Sequence, residues 1–137
     1  MTKVRVLCWN VAQLPWPINQ DMGNTNIKRA KQLAAIVRQI QTDPSKKVDV
    51  VCFQEFFDVS AKMTFILETQ DLFPHRIVDT RCGKYLVGMN SGMAIFSTFI
   101  LGEPRYLMKN YYQFHDYKWT IGDSGLARKG ILGVKVN

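Results

Sequence analysis

The stretch Val48-Asp-Val-Val-Cys-Phe-Gln-Glu55 decides the fold of this chain. Its first six residues form a nearly continuous apolar run rich in valine, which is too short for a typical helix and is typical of a buried strand. We therefore predict a central strand over Val48–Phe53. Glu55 follows it closely, and a carboxylate that emerges from a buried strand needs an opposite charge to meet.

A second apolar run, Val4-Arg-Val-Leu-Cys-Trp-Asn10, predicts a strand over Lys3–Trp9 that Asn10 closes. An amide oxygen beside a carboxylate offers the hard oxygen ligands that Mg²⁺ prefers. Asn10 and Glu55 are therefore the candidate metal ligands. The alternatives are structural, with Glu55 in a buried ion pair or a helix cap and Asn10 in a turn.

A helix is predicted between the two strands, because apolar residues recur there at steps of three and four. A polar residue at position 24, 25 or 26 can cap its start, and Asp43-Pro44 stops it, since proline disfavours helical backbone in the residue before it. The apolar positions are Ile27, Ala30, Leu33, Ala34, Val37 and Ile40.

A second helix follows the central strand, with Ser60 as its cap and Met63, Ile66 and Leu67 facing inward. Extended segments are then expected at Phe73–Val78 and Ser91–Ser97. Strands that alternate with helices in this way indicate an α/β fold in which helices cover a sheet of buried strands.

Length and charge favour one globular domain over residues 1–137 with an anionic partner. Eighteen Lys and Arg against eleven Asp and Glu leave a net charge of +7. Such a surplus favours phosphodiesters, nucleic acid or an acidic lipid surface, although scattered basic residues also arise simply as solvated faces. The 47% hydrophobic content excludes a disordered chain.

Three cysteines, Cys8, Cys52 and Cys82, lack the spacing of a metal site. Cys8 and Cys52 fall inside strand-like runs, so both are interpreted as small buried hydrophobic residues. No apolar stretch approaches the roughly 20 residues that span a bilayer, and no signal-peptide core is seen. A cytoplasmic or peripheral membrane location is expected.

Residues 102–124 form a long irregular segment rich in aromatic residues. Exposed aromatics there can rest on lipid or on a choline-like headgroup, or the segment can fold back over the core. The aromatic residues are Tyr106, Tyr111, Tyr112, Phe114, Tyr117 and Trp119.

Four stretches together resemble the endonuclease/exonuclease/phosphatase superfamily, in the order in which that superfamily has them. They are Leu7-Cys-Trp-Asn-Val-Ala-Gln-Leu-Pro15, Asp49-Val-Val-Cys-Phe-Gln-Glu-Phe-Phe-Asp58, Asn90-Ser-Gly-Met-Ala-Ile-Phe-Ser97 and Leu126-Ala-Arg-Lys-Gly-Ile-Leu-Gly-Val-Lys135. The resemblance implies the first half of a four-layer α/β sandwich, in which helices flank two packed β-sheets.

Within that superfamily the chain is most similar to neutral sphingomyelinases, through the Asn10 start, the Gln-Glu-x-Phe-Asp pattern and the Lys-Gly at Lys129. The similarity implies a Mg²⁺-dependent phosphodiesterase that removes phospholipid headgroups at a membrane surface. Glu55 would bind Mg²⁺ directly, Asn10 would support metal or phosphate, and Asp123 and Lys129 would lie at the substrate edge.

Other functions remain open on the same scaffold. They are a nuclease, a phosphoinositide phosphatase, and an inactive relative that binds lipid or protein. The superfamily's later motifs, a histidine after the Lys-Gly strand, an Asp-x-Asn pair and a terminal Asp-His pair, are absent from the 137 residues. We therefore expect a truncated domain that is inactive alone and needs a complementary C-terminal half.

Overall fold

The structure, a computed structural model, describes residues 3–14, 24–79 and 92–102. Within these ranges two helices and four strands follow one another in the predicted order, which confirms the α/β class. The described part contains one of the two sheets that the sandwich implies. In chain order the elements are β1 (Val6–Gln13), α1 (Asn24–Thr42), β2 (Val50–Phe56), α2 (Val59–Thr69), β3 (His75–Val78) and β4 (Ala94–Ser97).

The four strands form one mixed sheet in the order β1-β2-β4-β3. β1 and β2 are parallel and are joined through α1, whereas β4 runs antiparallel to both β2 and β3. β2 therefore lies inside the sheet, as its continuous apolar run predicts. The predicted extended segments near residues 73–78 and 91–97 are confirmed as β3 and β4.

Both helices contribute to a single core on one face of the sheet. Four phenylalanine rings form its centre, with centroid separations of 4.9–6.1 Å in edge-to-face arrangements. Such pairs add to the stabilisation from buried apolar area. The rings belong to Phe53, Phe56, Phe65 and Phe96.

The first helix agrees closely with its periodicity. Ala30, Leu33, Ala34 and Val37 are buried against the sheet, and the helix ends at Thr42, directly before Asp43-Pro44. Asn26 is not a cap, because it lies inside the helix and is fully buried.

The second helix differs from its prediction. Its cap is Asp58, whose side-chain oxygen accepts a hydrogen bond from the backbone N–H of Ala61 at 2.8 Å, and Ser60 lies inside the helix. Met63 and Leu67 are 47% and 63% exposed, while Phe65 is completely buried. The aromatic cluster explains the orientation, because turning Phe65 inward buries more apolar area than turning Met63 or Leu67 inward.

Both predicted strands near the candidate ligands are displaced towards the C-terminus. β1 covers Val6–Gln13 instead of Lys3–Trp9, and β2 covers Val50–Phe56 instead of Val48–Phe53. Backbone pairing between β1 and β2 continues past Asn10, up to the pair Gln13 and Phe56. The candidate ligands therefore lie within paired strands and not beyond their ends.

The prediction of two buried cysteines was wrong. Cys8 is exposed and Cys52 is half-buried. Successive strand residues point to opposite faces, and the core-facing neighbours Val51 and Phe53 place Cys52 on the face away from the helices. Cys82, Asp123, Lys129 and the aromatic segment lie outside the described residues.

Candidate functional site

The candidate ligands lie in the carboxyl halves of two neighbouring parallel strands. Asn10 of β1 is the register partner of Gln54 in β2, and Glu55 is the next residue along β2. The carboxyl ends of parallel strands are the usual place for a ligand site in α/β sheets. The two residues proposed from the sequence thus lie on adjacent strands, and Glu55 is one residue beyond the partner of Asn10.

A β-bulge lies directly beside this pair. Between the register pairs Asn10–Gln54 and Gln13–Phe56, β1 has two residues and β2 has only Glu55. The extra residue is accompanied by a positive φ of 45° at Ala12. Bulges of this kind redirect side chains and are frequent next to active sites.

Glu55 itself has a left-handed backbone conformation, with φ of 55°. For a residue other than glycine this conformation costs about 1–3 kcal/mol and persists only where its surroundings enforce it. Two hydrogen bonds do so here. The N–H of Phe56 donates to the carbonyl of Gly92 at 2.8 Å, and the N–H of Phe57 donates to the carbonyl of Gln13 at 3.1 Å.

Among the described residues, the Glu55 carboxylate has no hydrogen-bond partner and no ion pair. The alternative role of helix cap belongs to Asp58 and not to Glu55. Glu55 is half-buried, so part of its side chain remains open to solvent or to a ligand. A strained, uncommitted carboxylate of this kind is suited to binding a cation.

Asn10 is exposed, and its side chain already makes one contact. Its Oδ1 accepts a hydrogen bond from the backbone N–H of Ala12 at 3.0 Å, which is the turn that the sequence left open as an alternative. An amide oxygen has two lone pairs, and the NH₂ group has two donors. Asn10 therefore retains one acceptor site for a metal and two donors for a phosphate while it stabilises the bulge.

Two residues of α1 brace the bulge, and both were missed in the sequence. Arg29 donates from Nη2 to the carbonyl of Val11 at 2.9 Å and from Nη1 to that of Ala12 at 3.2 Å. Asn26 donates from Nδ2 to the carbonyl of Leu14 at 2.8 Å and contacts Asp58 Oδ2 at 3.2 Å. The sequence offered one signal for this role, the polar Asn26 beside the apolar positions of α1. Arg29 gave no signal, because a basic residue at its position looks like any solvent-exposed helix residue.

The donor set suits Mg²⁺ better than a transition metal. Within the described ranges no group of three or more His, Cys, Asp or Glu residues could hold a metal ion. Magnesium needs no such cage, because it keeps several waters and binds through one or two carboxylates together with substrate phosphates. Glu55 would supply the carboxylate and Asn10 a neutral oxygen, and neither nitrogen nor sulfur ligands are required.

Comparison with known proteins gives matches only among solved structures. No protein-family model and no curated protein sequence matches the chain. The structure of SmcL matches 98% of this chain with a TM-score of 0.65 and 22% identity. Sphingomyelinase C from Streptomyces griseocarneus matches 74% of it, with a TM-score of 0.52 and 21% identity.

A double mutant of the beta toxin from Staphylococcus aureus, solved with bound magnesium ions, matches 74% of the chain with a TM-score of 0.55 and 23% identity. In each case the chain spans less than half of the neighbour, between 36% and 43% of its length. The resemblance predicted from four sequence motifs is thus confirmed at the level of the fold. Over the matched part, the chain has the fold of SmcL, of the Streptomyces sphingomyelinase C and of the beta toxin.

Proposed function

We propose that this chain supplies the Mg²⁺-binding strands of a phosphodiesterase that hydrolyses the bond between a lipid and its phosphocholine headgroup. The observation that carries the proposal is Glu55, whose strained backbone lies beside the strand of Asn10 in the carboxyl halves of two parallel strands. The fold of sphingomyelinase-like neighbours and the magnesium held by one of them support the same assignment. The net charge of +7 is compatible with an anionic substrate or an acidic membrane surface.

In this proposal each residue of the site has one task. Glu55 holds the cation near the carboxyl end of β2, and Asn10 lies on the neighbouring strand beside the bulge. A bound divalent ion would polarise the phosphoryl group and neutralise its charge during attack by water. The Asn10 NH₂ group donates hydrogen bonds to a phosphate oxygen, and Arg29 positions Asn10 through the bulge.

Metal binding is tested first on this chain, without any substrate. Titration with MgCl₂, followed by two-dimensional NMR, is expected to shift the backbone amide signals of Ala12 and Glu55. Glu55→Gln preserves shape and removes the charge, so these shifts should disappear. The matched control is Glu68→Gln, which removes an exposed carboxylate on α2. Binding that survives Glu55→Gln, or is lost equally in both variants, would contradict the metal assignment.

The reaction is tested on the native gene product, because the chain spans only 36–43% of its structural neighbours. Sphingomyelin vesicles, DNA and phosphoinositide vesicles are incubated with and without a chelator. We expect Mg²⁺-dependent release of phosphocholine that Glu55→Gln abolishes. Cleavage of DNA or of phosphoinositides would instead favour a nuclease or a phosphatase, and metal-independent vesicle binding without turnover would favour a lipid-binding relative.

A further inference from the structure

Lys62, the fourth residue of α2, is a charged side chain in the interior of the protein. It is completely buried, and its Nζ donates a hydrogen bond to the backbone carbonyl of Asp79, 2.5 Å away. A buried ammonium is costly, and the helix dipole disfavours a positive charge near the start of a helix. A well-packed apolar side chain would serve stability at least as well, so the lysine points to another role.

Asp79 lies at the same edge of the sheet as Glu55. It follows the last residue of β3, and β3 runs parallel to β2 because β4 is antiparallel to both. The two residues before β4 lie between these strand ends. The N–H of Asp79 donates to the carbonyl of Met93 at 3.3 Å, and the N–H of Phe56 donates to that of Gly92 at 2.8 Å. Asp79 is thus connected through the start of β4 with the residue that follows Glu55.

Gly92 has little room to move without moving Phe56 and Phe57. A Cβ atom at Gly92 would lie 2.7 Å from the ring of Phe57, so the backbone of Gly92 packs directly against that ring. The carbonyl of Gly92 also accepts the N–H of Phe56, in one of the two hydrogen bonds that enforce the left-handed backbone at Glu55. A displacement of Gly92 is therefore transmitted to Glu55.

We propose that Lys62 is a positioning residue for Glu55, and that it acts through Asp79 and the two residues before β4. Its ammonium fixes the end of β3, because movement of Asp79 away from it would leave a buried charge with one acceptor fewer. The end of β3 in turn fixes Met93 and Gly92, which set the backbone of Glu55. The role of Glu55 as a metal ligand rests on the proposed function, whereas the positioning of its backbone does not.

The test uses the full chain with Lys62→Met, which keeps a long side chain and removes the ammonium. The matched control is Thr69→Val, at a buried position of the same helix whose Oγ1 donates to the carbonyl of Phe65 within that helix. Lys62→Gln, which can still donate to a carbonyl, is a second variant and should change each measurement in the same direction by less. Circular dichroism and urea denaturation establish that each variant is folded.

Amide hydrogen exchange gives a readout that needs no metal. In Lys62→Met the Phe56 amide should exchange about three- to tenfold faster relative to the Val51 amide, as expected for the weakening of one hydrogen bond. Val51 lies in the middle of the same strand and reports any general loss of stability. Thr69→Val should leave the ratio of the two rates unchanged. An unchanged ratio in Lys62→Met would overturn the proposal.

Titration with MgCl₂ then separates this role from the proposed function. Lys62→Met should weaken Mg²⁺ binding about three- to tenfold, and Thr69→Val should not. Removal of a positive charge would by itself strengthen cation binding, so weaker binding in the folded variant reports the lost position of Glu55. Equal affinity in Lys62→Met and in the wild type would overturn the proposal. A wild-type chain that binds no Mg²⁺ would contradict the proposed function instead, and the exchange rates alone would then decide the role of Lys62.

Discussion

Arg29 on α1 holds the bulged strand β1 by donating a hydrogen bond from Nη2 to the carbonyl oxygen of Val11, 2.9 Å away. The same guanidinium reaches Ala12, the residue of β1 with positive φ. A helix side chain thus satisfies carbonyl groups that the bulge removes from the ladder. The bulge beside Asn10 therefore depends on a residue from another element.

Arg29→Ala should therefore both destabilise the fold and disturb the candidate site. Hydrogen bonds from a charged donor contribute about 1.5–3 kcal/mol, and we expect a loss in the lower part of that range because Arg29 is only half-buried. Chemical denaturation measures the change. Arg29→Lys should not restore the lost stability, since an ammonium lacks the planar fork. Lys31→Ala, on the exposed face of the same helix, is the matched control, and an equal loss there would contradict the bracing role.

Glu55→Gly should stabilise the protein while removing the candidate metal ligand. Glycine adopts the φ of 55° without strain, which releases about 1–3 kcal/mol and outweighs a backbone entropy cost of about 0.5–1 kcal/mol. The same substitution at Glu68, within α2, should destabilise. Denaturation midpoints that move in the same direction in both variants would show that Glu55 is not strained. Loss of Mg²⁺ binding with a gain in stability is typical of a functional residue.

Gly92→Ala should be strongly destabilising. Gly92 has φ of 68°, and a Cβ atom there would lie 2.7 Å from Cε1 of Phe57, an aromatic ring that is 9% exposed. Left-handed backbone and overpacking together cost about 2–5 kcal/mol. Adding Phe57→Leu to Gly92→Ala should recover the stability that is lost through overpacking. The loss that comes from the left-handed backbone should remain. A double-mutant cycle of unfolding free energies measures the coupling, and a coupling of zero would contradict the contact.

Phe65→Ala should cost about 3–5 kcal/mol, because it removes a ring at the centre of the core. Phe65 is fully buried, with centroid distances of 4.9 Å to both Phe53 and Phe96. Leu67→Ala, two residues later and 63% exposed, should change stability by less than about 1 kcal/mol. Urea denaturation of the two variants distinguishes the observed orientation of α2 from the one predicted from the sequence, in which Leu67 faces inward.

Alkylation of Cys52 should depend on pH in a range far above that of an ordinary thiol. Burial and the neighbouring Cys8 raise its pKa from 9.0 to about 11, so its reaction with iodoacetamide should accelerate up to about pH 11. The neutral thiol is favoured in the fold, so its contribution to stability is complete below pH 9.0 and is lost as the pH rises towards 11. Cys8→Ser should lower the pKa of Cys52, while burial keeps it raised. An unchanged rate profile in that variant would show that Cys8 does not contribute.

The elements that follow local patterns were predicted well from the sequence. The run of valines before Glu55 gave the interior strand β2, and the spacing of apolar residues gave α1 with its end before Asp43-Pro44. Four motifs in order indicated the sphingomyelinase-like fold. Each of these features depends on residues close together in sequence, where hydrophobic period and turn chemistry act directly.

Orientation and exposure were predicted less well, because they depend on partners from distant parts of the chain. The aromatic cluster turned Phe65 inward in place of Met63 and Leu67. The one-sided packing of both helices left Cys8 exposed on the other face. Apolar character alone does not state which of two faces another element will cover.

The sequence by itself determined the α/β class, the central strand and the identity of Asn10 and Glu55 as the candidate ligands, since motif and period are local properties. Only the tertiary structure decided how these two residues are held. The bulge, the left-handed backbone at Glu55 and the brace from Arg29 all arise where β1, β2, α1 and the carbonyl of Gly92 meet. Their geometry is set by hydrogen bonds between residues far apart in the chain, and such long-range pairing leaves no periodic signal in the sequence.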